Sequence, residues 1–196
     1  MSSHDLTAFY EWLALPPDEL LAQCTRTPFQ ASGPGGQKRN RVYSAIRLEH
    51  PPTGLRAESG AHRESARNRA DALRKLRLAM AITGAKLVPP VRPQTDSMSK
   101  ESSSENPNRS TPVIADAAPP PKYPGFRAKI SIEHRDFPAT VLQALVAFRA
   151  NGGEPRATAE GLDVSTSAFV KYLKLDKAVL AEANAIRRNL GKDSLR

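Results

Sequence analysis

Residues 87–125, "LVPPVRPQTDSMSKESSSENPNRSTPVIADAAPPPKYPG", constrain the fold most, because they divide a chain of 196 residues into two short parts. Nine of the 17 prolines fall here with six serines and little periodic apolar pattern. Such a segment buries too little apolar surface to offset the entropy of ordering it, and its prolines extend it locally toward polyproline II. The expectation is a disordered linker over 87–125 between a compact unit at 1–86 and a second unit at 126–196. A linker of this length reaches roughly 35 Å on average and about 130 Å fully extended, so no fixed interface between the two units is expected.

The net charge of +9 is uneven. Residues 1–23 carry four acids and no Lys or Arg, and residues 24–86 carry thirteen bases against four acids. Residues 87–125 balance, and 126–196 hold twelve bases against eight acids. A polyanion, either nucleic acid or an acidic membrane surface, should therefore meet the 24–86 block first. The single cysteine, Cys24, excludes an internal disulfide, and the absence of CxxC or a His/Cys cluster leaves no expected metal or cofactor. No apolar run approaches the roughly 18 residues of a membrane span, and "MSSHDLTAFYEW" lacks the regions of a signal peptide. The expectation is a soluble, cytoplasmic, monomeric protein with no membrane partner.

Asp5–Leu15 reads as a short helix stopped at Pro16-Pro17, since proline disfavours helix at the preceding residue. Leu21–Phe29 reads as a strand leading into a Gly-rich loop. "VYSAIRLE" alternates, with Val42, Ser44, Ile46 and Leu48 on one face and Tyr43, Arg47 and Glu49 on the other. "TGLRAES" follows after "HPP", giving a β-hairpin. Arg63 to about Ile82 reads as a helix, with Ala66, Leu73, Leu76 and Met80 facing the core and Arg63, Arg67 and Arg74 on a narrow arc elsewhere. The first unit is thus α+β.

After the linker, Val141, Leu142, Leu145 and Phe148, then Val179, Ala183, Ile186 and Leu190, have helical spacing, so the second unit is all-α. "TAEGLDVSTSAFVKYL" has the pattern of a helix-turn-helix. Ala159, Glu160 and Leu162 belong to the first helix, and Val164, Phe169 and Leu173 follow the turn. Asp163 suits the turn because Asp tolerates the left-handed conformation, and Ser165 and Asp176 suit the N-caps of the next two helices. Any small helical bundle gives this periodicity. Phosphate contacts by Lys171, Lys174 and Lys177 and an ordinary solvated face both remain open.

The stretch "SGPGGQKRNR", Ser32–Arg41, is where chemistry concentrates. Gly33, Gly35 and Gly36 let another molecule approach the backbone closely, Pro34 limits the loop's freedom, and Lys38, Arg39 and Arg41 can neutralise phosphates. A plain surface turn beside a solvated basic run fits the same residues. A phosphate-cradling Walker A loop does not, since no Gly-Lys-Ser/Thr follows. "GPGG" also fits the GXXG of KH domains, but that loop lies between two helices, whereas a strand follows here.

The longer string "SGPGGQKRNRVYSAIRLEHPPTGL" resembles the catalytic domain of class I peptide chain release factors and their short relatives, the ArfB-type ribosome-rescue peptidyl-tRNA hydrolases. The matching positions are Ser32, Gly33, Pro34, Gly35, Gly36, Gln37, Asn40, Ser44, Ala45, Arg47, Leu48, His50, Pro52, Thr53 and Gly54. Arg63, Asn68, Arg69 and Ala72 echo a helical Arg-Ser-Gln-x-x-Asn-Arg motif of that family. The resemblance covers roughly residues 18–85. It departs where Lys38-Arg39-Asn40-Arg41 replace His-Val-Asn-Lys, and where Glu64-Ser65 replace Ser-Gln.

The resemblance implies hydrolysis of the ester of a P-site peptidyl-tRNA within the large ribosomal subunit. It makes Gly35, Gly36 and Gln37 the catalytic residues, with the Gln37 backbone N–H as oxyanion donor and its side chain as a substrate for a glutamine methyltransferase. RNA binding falls to Lys38, Arg39, Asn40, Arg41, Arg63, Arg67, Arg69 and Arg74. His50 and His62 are expected to be structural or surface residues. Only some twenty residues precede the core and no codon-reading segment surrounds it, which favours rescue of stalled ribosomes over termination. Residues 126–196 are then expected to meet the mRNA channel or another nucleic acid. The alternative is a non-hydrolytic RNA- or DNA-binding regulatory protein that keeps the release-factor-like fold.

Overall fold

The computed structural model describes residues 5–30, 43–91 and 126–195. Within them the architecture is α+β, a small three-stranded antiparallel sheet with helices on it, followed by a helical unit. Helix α1 (Leu6–Ala14) is capped by Asp5, whose carboxylate accepts from Ala8 N at 3.0 Å, and it ends before Pro16-Pro17. Helix α2 (Pro17–Ala22) departs from the expectation of a simple stop at Pro16-Pro17, and it takes Leu21 and Ala22 from the strand expected over Leu21–Phe29. Proline at the first helical position lacks only an N–H that would be unpaired anyway, and Asp18 and Glu19 suit the positive end of the helix dipole. Leu20 is fully buried beneath it.

Strands β1 (Thr25–Phe29), β2 (Ala45–His50) and β3 (Leu55–Ser59) pair in that order, with Phe29 opposite Ala45 and His50 opposite Leu55. The hairpin between β2 and β3 closes at Gly54, whose φ of +67° is one that glycine adopts without strain. His50 is buried: Nδ1 lies 2.9 Å from Thr53 Oγ1, and its ring meets Trp12 edge-on at 5.0 Å.

Helix α3 (Ser65–Ala85) crosses the sheet. Leu73, Leu76 and Met80 are buried as expected, but Ala66 is exposed and Asn68 occupies the buried first-turn position instead. Arg63 precedes the helix. The C-terminal half of α3 is buried on more than one side, at Leu76, Arg77, Leu78, Met80, Ala81, Gly84 and Ala85, because both α1 and α4 cover it. Gly84 permits the closest approach: a Cβ there would lie 2.8 Å from Phe9 Cγ.

The helical unit comprises α4 (Phe137–Ala150), α5 (Pro155–Gly161), α6 (Thr166–Leu173) and α7 (Lys177–Asn189). Phe148, Phe169, Tyr172, Leu145 and Ile186 are buried in its core; full burial of such side chains is worth about 1.5–3 kcal/mol each. Thr140 Oγ1 donates to Phe137 O at 2.8 Å, so the Tyr172 hydroxyl, 2.7 Å away, donates to Thr140. Ser165 and Asp176 cap α6 and α7, accepting from Ala168 N and Ala178 N, and Asp163 has a φ of 55°.

The two units are not separate, contrary to the expectation from linker length. Helix α4 packs along α3 and touches α1, and their apolar residues form one continuous core. Leu87–Val91, placed at the start of the linker, is ordered against the helical unit: Val91 N donates to Arg149 O at 3.0 Å, and Arg149 donates to Val88 O at 3.2 Å. Arg149 also pairs with Glu182 at 2.6 Å, both side chains being 9% exposed, and Lys86 reaches the same carboxylate at 3.4 Å. Linker length allows separation; it does not oppose docking when both units carry uncovered apolar helix faces.

Candidate functional site

The Gly-rich stretch, with Gly35, Gly36, Gln37, Lys38, Arg39, Asn40 and Arg41, lies outside the described residues, and its roots are described on both sides. Strand β1 ends at Phe29 directly opposite the start of β2 at Ala45, so the chain leaves and re-enters the sheet at paired positions. On the departing side, the Arg47 guanidinium lies 5.3 Å from the centre of the Phe29 ring while its Nε donates to Glu58 at 2.7 Å. That stacking adds a cation–π attraction to the strand pairing. Tyr43, on the returning side, is 65% exposed, an aromatic surface suited to stacking on a base.

Asn68 holds the returning root. Its Nδ2 donates to Ser44 O and to His62 O, both at 2.8 Å, and its Oδ1 accepts from His62 N at 2.9 Å. One buried amide thereby joins the entry to β2, the turn after β3 and the first turn of α3. Three residues on, Asp71 accepts from Ser59 Oγ at 2.7 Å and pairs with Arg74 and Lys75, each at 2.9 Å. Partial burial alone would raise the Asp71 carboxyl, but the bonds from Lys75, Ser59 and Arg74 outweigh it and hold it well below the usual carboxylate range.

The expected RNA-binding residues that can be placed fall on and before α3. Arg63, Arg67 and Arg69 are exposed, and Arg67 pairs with Glu64 at 3.0 Å. Arg74 is partly buried beside Asp71, so its charge is largely answered within the protein. Arg67 and Arg74 line one cleft, while Arg63 and Arg69 do not. Sequence reading missed Asn68 as an anchor, the role of Arg47 and the exposure of Tyr43; the position of Asn68 four residues before Ala72 on a helix was the available signal. Lys171, Lys174 and Lys177 are exposed on the helical unit. Among the described residues no cluster of His, Cys, Asp or Glu could hold a metal ion, and no helix is long and apolar enough to cross a membrane.

The RF-1 domain family matches residues 14–111. Peptide chain release factor 1 of Bifidobacterium adolescentis is 47% identical over 49 residues, covering 25% of this chain and 14% of that protein. Peptide chain release factor 2 of Lactiplantibacillus plantarum is 47% identical over 49 residues, covering 25% and 13%. Peptide chain release factor 1 of Streptococcus thermophilus is 42% identical over 53 residues, covering 27% and 15%. The chain thus spans only a small part of the length of these relatives. No solved structure matches it.

Proposed function

The chain belongs to the RF-1 domain family, and from that premise we propose that it hydrolyses the ester of peptidyl-tRNA on stalled ribosomes without reading a stop codon. The observation that supports this reading is the family match across residues 14–111, which takes in the intact Gly35-Gly36-Gln37 string. In this reaction water attacks the ester carbonyl carbon, the Gln37 backbone N–H donates to the oxyanion, and the bond to the tRNA 3′ oxygen breaks as that oxygen gains a proton. Gly35 and Gly36 keep the approach narrow, and the Gln37 side chain, the substrate of a glutamine methyltransferase, limits which nucleophiles fit. Lys38, Arg39, Asn40, Arg41, Arg63, Arg67, Arg69 and Arg74 contact large-subunit RNA, and the ribosome supplies the rest of the site.

A peptide-release assay on purified ribosome complexes tests this. Gly36→Ala should lower release about 100-fold or more while ribosome binding stays near wild type; release above about a tenth of wild type overturns the assigned donor. Complexes on truncated mRNA should be at least as good substrates as those with a stop codon in the A site. Strict dependence on UAA or UGA overturns codon independence.

The helix-turn-helix-like arrangement of α5 and α6, with Asp163 in the left-handed turn, favours one second reading: a non-hydrolytic nucleic-acid-binding protein. Absence of release by the wild type on every complex would select it.

A further inference from the structure

A cleft of about 850 Å³ opens between the first half of α3 and the segment 133–138 that leads into α4. Its walls carry Arg67, Arg74 and Arg77 from α3 and Arg135 from the helical unit, against Asp71 and Glu133. Asp71 is already bonded to Ser59, Arg74 and Lys75. Arg77 and Arg135 have no carboxylate ion pair among the described residues. Their guanidinium groups turn to the last carbonyls of α1, Arg77 to Leu15 O and Arg135 to Ala14 O at 3.0 Å. Arg77 is only 4% exposed, and its Nε is buried without a hydrogen-bond partner. Burial, and then the neighbouring charge of Arg135, push the Arg77 guanidinium below its usual range, with Asp136 opposing. Like charges held together at a junction leave a deficit of negative charge that a ligand can supply.

We propose that this junctional cleft is a phosphate-binding site that takes the backbone of single-stranded RNA, with Arg67 and Arg135 as its accessible contacts from the two units. The RNA assignment rests on the ribosomal reading above, whereas the phosphate chemistry rests on the cleft alone. Because one wall comes from α3 and the other from the helical unit, RNA in the cleft binds across the junction and stabilises the docked arrangement. That assigns residues 126–195 a part in RNA binding that does not depend on the helix-turn-helix.

The test uses the full chain and fluorescein-labelled oligouridylate, read by anisotropy. Arg67→Gln with Arg135→Gln should weaken binding at least about tenfold and flatten the salt slope by about 1.4, the value for two contacts on a single strand. Arg156→Gln with Arg188→Gln, which removes the same charge outside the cleft, should change affinity less than about twofold. A readout without mutation accompanies it: oligouridylate should move the ring NMR signals of His62 and His134, which line the cleft, and leave that of buried His50 in place. Equal losses in the two double variants, unmoved His62 and His134 signals, or competition by inorganic phosphate or polyglutamate as effective as by RNA would each overturn the proposal. RNA binding in the cleft by a protein inactive in peptide release would overturn the hydrolytic reading and leave this one standing.

Discussion

The side-chain amide of Asn68 donates to the carbonyl oxygen of Ser44 at 2.8 Å, across 24 residues of sequence. It thereby ties helix α3 to the point where the chain re-enters the sheet after the Gly-rich stretch. Asn68→Ala would leave Ser44 O, His62 O and His62 N without this partner inside the fold. Each buried unsatisfied group costs about 1–3 kcal/mol, partly relieved by water. The expected loss of stability is about 2–4 kcal/mol, measured by urea unfolding. Release should fall more than ribosome binding, since the loop root would lose its anchor; equal effects on both would show that Asn68 serves stability only.

Lys38, Arg39 and Arg41 test the electrostatic part of the proposal. Replacing all three with Ala should flatten the log–log salt dependence of ribosome affinity by about 2. An unchanged slope would place these cations in solvent.

Asp71 makes stability depend on acid. Its folded-state value lies below the roughly 3.9 of an unfolded aspartate, so the native protein binds fewer protons than the unfolded chain. That contribution is fully present above the unfolded value and is lost as pH falls through the folded one. The unfolding free energy of the wild type should therefore drop between about pH 5 and pH 2, and Asp71→Asn should make that drop shallower. Parallel curves for the two proteins would contradict the assigned hydrogen bonds.

Glu182 joins α7 to Arg149 on α4 and to Lys86 after α3. Removing one partner of a buried pair leaves the other charge uncompensated, at a cost of about 3–5 kcal/mol. Glu182→Ala should lose about 3 kcal/mol by chemical denaturation, because Arg149 keeps its bond to Val88 O.

Docking of the two units has its own signature. Trp12, the sole tryptophan, lies in the first unit, whereas far-ultraviolet circular dichroism reports every helix. The two unfolding curves should coincide in the wild type. A tryptophan transition well separated from the ellipticity transition would mean that the units unfold independently.

Features written into neighbouring residues were legible in the sequence. Helix α1 ends at Pro16-Pro17, a hairpin joins β2 to β3, Ser165 and Asp176 cap their helices, and Asp163 takes the left-handed turn. Each depends on hydrogen bonds or torsions within about four residues, so local composition suffices to specify it. Helix α2 was missed for a local reason too, since proline both ends one helix and begins the next.

The Gly-Gly-Gln string was likewise legible as sequence, and it lies outside the described residues. What holds its roots came only from the tertiary structure: the Asn68 amide on Ser44 O, and Arg47 over Phe29. The same is true of the contact between α3 and α4, the Arg149–Glu182 pair and the cleft between Arg67 and Arg135. A 3.6-residue period marks one buried face of a helix, as it did for Leu73, Leu76 and Met80, but it cannot announce a second. Arg77, Leu78 and Ala81 lie in the half of α3 that α1 and α4 cover together, and a period within α3 carries no record of those distant partners.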